Sequence, residues 1–329
     1  MSRVLVILDG APEPLQPWPT SLEGAATPAI DALCAAGETG LLATTPPGFA
    51  PGSETGVAFL LGALPSAPIG RGGVEAAAAG AEVPDGCDAW RLDLRHEDGR
   101  RATGHEVRMR WPLLRANLPW FRIVPLGGHR VLAIGARRPA LRCCGGLDVT
   151  VWPDGALPDR ALDGSTTMVC GPGAAGGIAR LAGASVCVPD GATGDVDSDL
   201  DAKAAAALLA LERGDDVVVH VGGADEAAHR GERDAKRAAI EAADARLVGP
   251  LRSAARRAGA TLAVTSDHGT CPWTGRHDDA PVPFVVAGPG VAARGARRLS
   301  ERALAGAPVA VSPWPAAPAA AAAPQGAAT

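Results

Sequence analysis

The sequence predicts an α/β fold in which a mainly parallel sheet is flanked by helices and carries a smaller inserted α+β domain. Three observations predict it. Short apolar runs at 3–8, 217–220 and 261–265 indicate buried strands, and each is followed within a few residues by an Asp. Strand-like and helix-like segments alternate after residue 166, which is typical of a parallel sheet. Between 81 and 163 the pattern changes to short alternating runs separated by Gly and Pro turns.

The N-terminal part of the chain is predicted to run strand, loop, helix and strand. The first strand ends at Asp9, and a Pro-rich loop follows it. Thr27 and Pro28 then occupy the N-cap and the first position of a helix, which we expect to end near Gly37. A second strand is predicted at 40–44.

Ser53 lies in a Pro/Gly-rich loop directly before the apolar run 57–61, and two roles are open for it. It can cap a helix that begins near Glu54. It can also act as a nucleophile, because the positive end of a helix dipole favours a phosphoryl group at that place. The two roles are compatible.

We expect residues 81–165 to form the inserted domain, a cap on the core formed by 1–80 and 166–304. Strand-like runs surround a predicted helix at 111–117. The segment is rich in Arg, and most of these side chains are expected to be solvated. The functional alternative is that some guanidinium groups hold a phosphorylated or carboxylated substrate through paired hydrogen bonds.

The second half of the core alternates between predicted helices and strands. The residues from 305 to 329 are Ala/Pro-rich, and we expect a disordered tail there. The predicted elements are helices at 174–181 and 199–212, strands at 184–188 and 217–220, a long helical pattern at 232–257, and a last strand at 282–286.

Composition narrows the classes of function. The 329 residues carry a net charge of −5 and no Tyr, which argues against a nucleic-acid partner. No stretch reaches the roughly 18 apolar residues that a membrane helix needs, so we expect no membrane partner. Seven Cys without a C-x-x-C pair, and no leader-like start, lead us to expect reduced thiols and a cytoplasmic location. The oligomeric state is left open.

The end of the strand at 261–265 carries residue types that bind divalent metals. Asp267 and His268 follow the strand, and His277 comes nine residues after His268. Taken alone, these could equally be a turn-capping Asp and two surface imidazoles. Asp225 and His229, however, are four residues apart and would share one helix face. Since ligands gather at the carboxyl ends of strands in open α/β sheets, a metal site is the better interpretation.

The order and rough spacing of these residues resemble the alkaline phosphatase superfamily, and more narrowly the archaeal-type cofactor-independent (2,3-bisphosphoglycerate-independent) phosphoglycerate mutases. The resemblance covers about residues 3–295, weakly between 85 and 165, and implies an alkaline-phosphatase-like fold. The matching segments are Asp9-Gly10, Thr27 to Asp31, Pro51 to Thr55, Gly70-Arg71-Gly72, Gly191 to Gly194, Asp225 to His229, Asp267 to Thr270 and His277 to Pro283.

The resemblance implies an isomerase that interconverts 3- and 2-phosphoglycerate, a step of glycolysis, through a phosphoserine at Ser53. Two divalent ions would share the site, and mixed carboxylate and imidazole ligands suit Mn²⁺ or Zn²⁺ better than Mg²⁺. The resemblance assigns one ion to Asp9, Ser53, Asp267 and His268, and the other to Asp225, His229 and His277.

The partner implied by the resemblance is a small phosphorylated metabolite. The candidate substrate contacts are Arg71 from the core and Arg91, His129 and Arg130 from the cap. For His129, an ordinary structural role is the alternative.

The sequence also departs from the family pattern. Family lysines are expected at the places of Gly222 and Gly176, and the segment 157–176 is shorter than expected. Because fewer side chains would then contact the substrate, two alternatives stay open. One is a phosphatase or phosphotransferase acting on another small phosphate or phosphonate ester, and the other is a catalytically silent metal-binding relative.

Overall fold

The computed structural model describes residues 2–312. The strands are β1 (Arg3–Leu8), β2 (Glu38–Leu42), β3 (Asp88–Arg95), β4 (Arg122–Gly127), β5 (Arg130–Gly135), β6 (Cys143–Cys144), β7 (Leu147–Val151), β8 (Thr166–Val169), β9 (Ser185–Cys187), β10 (Asp216–Val221), β11 (Thr261–Thr265), β12 (Gly269–Cys271), β13 (Arg276–Asp278), β14 (Val282–Ala287) and β15 (Val309–Ala310). The helices are α1 (Ser21–Gly24), α2 (Pro28–Ala36), α3 (Ser53–Leu60), α4 (Arg71–Ala78), α5 (Gly104–Met109), α6 (Trp111–Asn117), α7 (Ala174–Ala182), α8 (Leu200–Glu212), α9 (Gly223–His229), α10 (Arg233–Ala243) and α11 (Gly249–Ala258).

Within the described residues, the core is an eight-stranded sheet in the order β15-β2-β14-β11-β1-β10-β8-β9. The five strands from β11 to β9 are parallel, whereas β14 runs antiparallel to both β11 and β2. The predicted α/β class with a mainly parallel sheet is confirmed.

Both faces of this sheet are covered, which explains the continuous apolar run of β1. Val4, Val6 and Leu8 pack into a layer with α2, α8, α10 and α11, while Leu5 and Ile7 face a second layer with α3, α4 and α7. Successive strand residues point to opposite faces, so a strand buried on both sides must be apolar throughout. Helices on both faces leave the strand ends as the place for polar groups.

The long helical pattern predicted at 232–257 is interrupted by a π-helical turn at Asp244–Val248. The fully buried Asp244 opens this turn, and its carboxylate accepts the N–H groups of Ala29 and Ile30 at 3.0 and 2.8 Å. Asp244 therefore caps α2. Thr27 is the N-cap residue as predicted, but its hydroxyl makes no capping hydrogen bond within the described chain.

A second, antiparallel sheet in the order β4-β5-β3-β7-β6 lies in the segment 88–151, together with α5 and α6. It has its own apolar core, which includes Trp90, Leu92 and Leu114. The helix predicted at 111–117 is confirmed. The predicted substrate residues Arg91 and Arg130 thus lie on β3 and β5 of this sheet.

The chain after residue 304 continues into the sheet. Val309–Ala310 pair in parallel with Leu41 and Leu42 of β2, although we predicted a disordered tail at 305–329. The prediction therefore begins the tail too early, because β2 offers an open edge for this strand; residues 313–329 lie outside the described residues. No helix in the described part of the chain combines the length and the apolar character needed to cross a bilayer.

Candidate active site and metal centre

Three buried Asp side chains meet at one edge of the core sheet. Asp9 directly follows β1, Asp267 follows β11, and Asp225 lies in α9 after β10. Since β1 is parallel to both β10 and β11, their carboxyl ends coincide. The Asp9 N–H donates to the carbonyl oxygen of Val221 at 3.0 Å, which holds the Asp9 loop against the end of β10.

The first group of candidate metal-ligating atoms surrounds the Nε2 atom of His268. This atom lies 3.2 Å from Asp9 Oδ1 and 3.7 Å from Asp267 Oδ2. Ser53 Oγ is 3.4 Å from it. Ser53 is the first residue of α3, whereas Gly52 is the N-cap, so the hydroxyl is directed to His268 rather than used as the helix cap. Gly56 allows this approach, because a side chain there would overlap the backbone of Asp267.

The second group surrounds Asp225. His229 Nε2 lies 3.2 Å from Asp225 Oδ2, and His277 Nε2 lies 3.1 Å from His229 Nε2. The Nδ1 atoms of the two imidazoles face the carbonyl oxygens of Gly275 and Pro51 at 2.8 and 3.0 Å. A carbonyl oxygen only accepts, so each Nδ1 carries a proton, and in the neutral imidazole each Nε2 is the nitrogen left to bind a metal ion.

His268 lies between the two groups. Its ring centroid is 4.1 Å from that of His277, and one of its ring nitrogens is close enough to Asp225 and His277 to share an ion with them. The family resemblance assigns His268 to the Asp9 group alone. His220, which was not predicted to belong to the site, offers a ring nitrogen within 4.8 Å of ligand atoms of Asp9 and Asp267.

The site chemistry fits divalent ions. Within residues 2–312, Asp9 Oδ1, Asp267 Oδ2 and His220 Nε2 are buried without a hydrogen-bond partner, which is costly unless another group satisfies them. Burial and the neighbouring Asp267 and Asp225 carboxylates raise the pKa of Asp9. Burial opposes the His268 imidazolium, yet Asp267 and Asp9 outweigh it and raise the pKa of His268 to about 10. Bound dications would relieve the repulsion between the carboxylates.

The four predicted substrate residues line one cleft of about 520 Å³ between the core and the second sheet, and Ser53 and His277 line the same cleft. Glu75, a buried carboxylate on α4, lies at the centre of the arginines. Its Oε1 is 3.2 Å from Arg91 Nη1, 3.4 Å from Arg71 Nε and 3.9 Å from Arg130 Nη1. One core carboxylate therefore gathers guanidinium groups from α4 of the core and from two strands of the second sheet.

A family model for the metalloenzyme superfamily matches residues 1–307. The 2,3-bisphosphoglycerate-independent phosphoglycerate mutase of Methanoculleus marisnigri is 31% identical over 365 residues, covering 86% of each chain. The probable enzyme of the same name from Geobacter sulfurreducens is 29% identical over 87% of this chain and 90% of its own. The chain belongs to the cofactor-independent phosphoglycerate mutase family of the metalloenzyme superfamily.

Solved structures share the fold of this chain. The PH0037 protein of Pyrococcus horikoshii is 25% identical, with a TM-score of 0.75 over 93% of this chain and 91% of its own. The cofactor-independent phosphoglycerate mutase of Thermoplasma acidophilum shares the fold, with 19% identity and a TM-score of 0.60 over 94% and 97% of the two chains. The predicted family, fold class and enzymatic nature are confirmed, and membership of the metalloenzyme superfamily implies bound metal ions.

Two residues of this mutase-family chain that contact the predicted substrate residues were not predicted from the sequence. Asp93 is buried and accepts hydrogen bonds from Arg91 at 2.7 and 3.1 Å, and His129 Nε2 lies 3.5 Å from it. Trp152 stacks against the guanidinium groups of Arg91 and Arg71, 4.9 and 5.8 Å from its ring centroid. Alternation in the Arg91–Asp93 strand could have placed that pair on one face; no local pattern points to Trp152.

Proposed function

We propose that this enzyme interconverts 3- and 2-phosphoglycerate through a phosphoserine at Ser53. The observation that carries the proposal is the position of Ser53 Oγ, 3.4 Å from His268 Nε2 in the metal-type cluster and on the wall of the arginine-lined cleft. The names of the relatives from Methanoculleus and Geobacter support the same reaction. The predicted place of the reaction is glycolysis in the cytoplasm.

The Ser53 oxygen would attack the phosphorus of 3-phosphoglycerate, and the bond from phosphorus to the C3 oxygen would break. Glycerate would stay in the cleft, with a proton on its freed hydroxyl. The C2 oxygen would then attack the phosphoserine, which returns the phosphoryl group and restores Ser53. When bound, the divalent ions would lower the pKa of the Ser53 hydroxyl and offset charge on the phosphoryl oxygens.

The residues proposed to hold these ions belong to the two groups described above, and Mn²⁺ or Zn²⁺ is the proposed metal. Three carboxylates supply hard oxygen ligands, and three imidazoles favour borderline ions over Mg²⁺. The proposed ligands are Asp9, Ser53, Asp267 and His268 for one ion, and Asp225, His229 and His277 for the other.

Arg71, Arg91 and Arg130 are proposed to hold the phosphate and carboxylate of the substrate. Each guanidinium has five N–H donors, so an arginine oriented by Glu75 can still donate to substrate oxygens. His129, beside Asp93, is proposed to act with them. These contacts would keep glycerate bound between the two phosphoryl transfers. If glycerate left, water would hydrolyse the phosphoserine, and the net reaction would be hydrolysis of the substrate.

A phosphatase is the second candidate, and Gly222 favours it. The lysine that the family resemblance predicts at this place is absent, which removes one cation near the phosphoserine. With a weaker hold on glycerate, water could take its place and hydrolyse the phosphoserine.

An enolase-coupled assay with 3-phosphoglycerate tests the proposal, with Mn²⁺ or Zn²⁺ loaded and phosphate release followed in parallel. We expect phosphoenolpyruvate to form with little free phosphate, and Ser53→Ala protein to form neither product. Phosphate release without phosphoenolpyruvate would replace the mutase by the phosphatase. If the folded, metal-loaded protein yields neither product with a panel of phosphorylated metabolites, both candidates fail.

A further inference from the structure

His220 is a buried imidazole at the carboxyl end of β10, and the family resemblance gives it no role. It is 8% exposed. Its Nε2 atom lies 3.5 Å from Asp9 Oδ2 and 3.7 Å from Asp267 Oδ2, too far for good hydrogen bonds. No residue between 2 and 312 gives this atom a hydrogen-bond partner.

The atoms around His220 converge as ligands of one ion do. Asp9, His220 and Asp267 each offer a ligand atom within 4.8 Å of the others. Ligand atoms bound at about 2.0–2.2 Å to a four- or five-coordinate ion lie roughly 3–4 Å apart. Asp9 Oδ1 and Asp267 Oδ2 also have no hydrogen-bond partner in the described chain, so one ion would satisfy three unpartnered buried atoms at once.

The backbone holds the imidazole in this place. His220 pairs with Ile7 in the parallel ladder between β1 and β10. Its carbonyl oxygen accepts a hydrogen bond of 2.9 Å from Nζ of Lys203, which is fully buried on α8. The peptide is thus fixed from two sides, which places His220 at the same sheet edge as the two carboxylates.

An imidazolium that balances the charge of Asp9 and Asp267 is the competing role. That role suits a metal-free cluster, where the carboxylates have no other cation. Once dications bind between the carboxylates, a further positive charge on His220 is repelled, whereas the neutral imidazole with its proton on Nδ1 would offer the Nε2 lone pair to the ion.

We propose that His220 Nε2 is a further ligand of the ion held by Asp9, Asp267 and His268. The donor set of that ion then contains two imidazoles, two carboxylates and the Ser53 hydroxyl, which shifts its preference further from Mg²⁺ toward Zn²⁺ or Mn²⁺. The inference rests on the two-ion site of the proposed function, but not on which phosphate ester the enzyme transforms.

Metal binding by the full chain tests the proposal without any turnover. The test variant is His220→Gln, and the control is His105→Gln at an exposed position of α5. Both would be made in the wild-type chain and in Asp225→Asn protein, which should bind the second ion more weakly. Zn²⁺ affinity would be measured by chelator competition, and Co²⁺-loaded protein by visible absorption. In the Asp225→Asn background we expect His220→Gln to lower the affinity of the remaining ion at least about tenfold, and to change the Co²⁺ bands. His105→Gln should change neither.

A second variant keeps the test decisive if His220→Gln does not fold. His220→Glu replaces nitrogen by a carboxylate oxygen, so this variant should still bind two Co²⁺ ions with a shifted spectrum. Zn²⁺ affinity and Co²⁺ bands equal to those of wild type, in either folded variant, would place His220 outside the coordination sphere and overturn the proposal.

Discussion

The backbone of Gly222 packs directly against the carbonyl oxygen of Gly194, so that a Cβ atom at position 222 would overlap this oxygen. Gly222 has ordinary right-handed backbone angles, and steric room rather than conformation therefore requires glycine here. The lysine that the family resemblance predicts at this place cannot be accommodated unless the Gly194 loop moves. In the proposed function, arginines that line the cleft, among them those around Glu75, would supply the positive charge toward the substrate.

Gly222→Ala should lower the free energy of unfolding by about 1–3 kcal/mol, the usual cost of forcing extra atoms into a packed region. Gly104→Ala is the matched control, since the nearest atom to an added Cβ is 3.5 Å away, at the tip of Arg108. Chemical denaturation of both variants measures the difference. Equal stability of the two variants would show that the Gly194 loop yields easily, and that the missing lysine has no steric cause.

Glu75→Gln should raise the KM for a phosphorylated substrate about tenfold or more, with a smaller change in kcat. The variant keeps the shape of the side chain but removes the charge that holds three guanidinium groups together, and a hydrogen bond to a charged group contributes about 1.5–3 kcal/mol. Metal content should not change, because Glu75 is not among the proposed ligands. Glu82→Gln, on an exposed loop, is the control. An unchanged KM would mean that the arginines keep their positions without Glu75.

The apolar pattern of the strands and the residue types that bind metals accounted for most of the predicted site. The apolar runs before Asp9, Asp225 and Asp267 located the strand ends, and helical spacing paired Asp225 with His229. What the sequence could not provide is contact between distant segments. Asp244 caps α2 from more than 200 residues away, which no local capping rule reveals.

The same limit explains the residues missed at the site. Glu75 resembles any helical carboxylate until the second sheet brings Arg91 and Arg130 to it. His220 lies near the end of an apolar strand, where a single histidine is usually a core residue. Its role can be inferred only from its proximity to Asp9 and Asp267, which follow neighbouring strands. Sequence reasoning found the residues that resemble family motifs, but not those that hold them in place.

Metal binding should release a proton from His268, so metal affinity should rise with pH. Without ions, the pKa of His268 is raised to about 10, and the imidazole holds its proton at neutral pH. Coordination requires the neutral form, so the metal competes with one proton below that pKa, and affinity should increase about tenfold per pH unit between roughly pH 7 and 9. His229, whose pKa is also raised, acts in the same direction.

Calorimetry in buffers of different ionisation enthalpy would count the released protons, and chelator competition would give the slope. His268→Asn should lower the affinity and flatten its pH dependence. An affinity that is independent of pH across this range in the wild-type chain would contradict a protonated His268 in the metal-free site.

Ser53→Ala and Asp225→Asn should both be nearly inactive but should differ in metal content. Ser53→Ala removes the proposed nucleophile, so turnover should stop, while both ions should stay bound because Ser53 offers only one hydroxyl ligand. Asp225→Asn keeps the shape but loses a charged ligand. It should bind the second ion more weakly and lower kcat by roughly 10²–10³-fold, the scale found for loss of one group that stabilises transition-state charge.

Metal analysis after dialysis, together with the enolase-coupled rate, separates the two variants. Glu226→Gln is a fitting control for Asp225→Asn, since it removes a carboxylate from the adjacent position of α9, 3.7 Å from Arg101 rather than in the metal-type cluster. Substantial activity of Ser53→Ala would exclude a phosphoserine at this position. Two tightly bound ions and normal turnover in Asp225→Asn would mean that the second ion is held elsewhere. If the Asp225 carboxylate binds this ion together with His229 and His277, loss of its charge must weaken the binding of the ion.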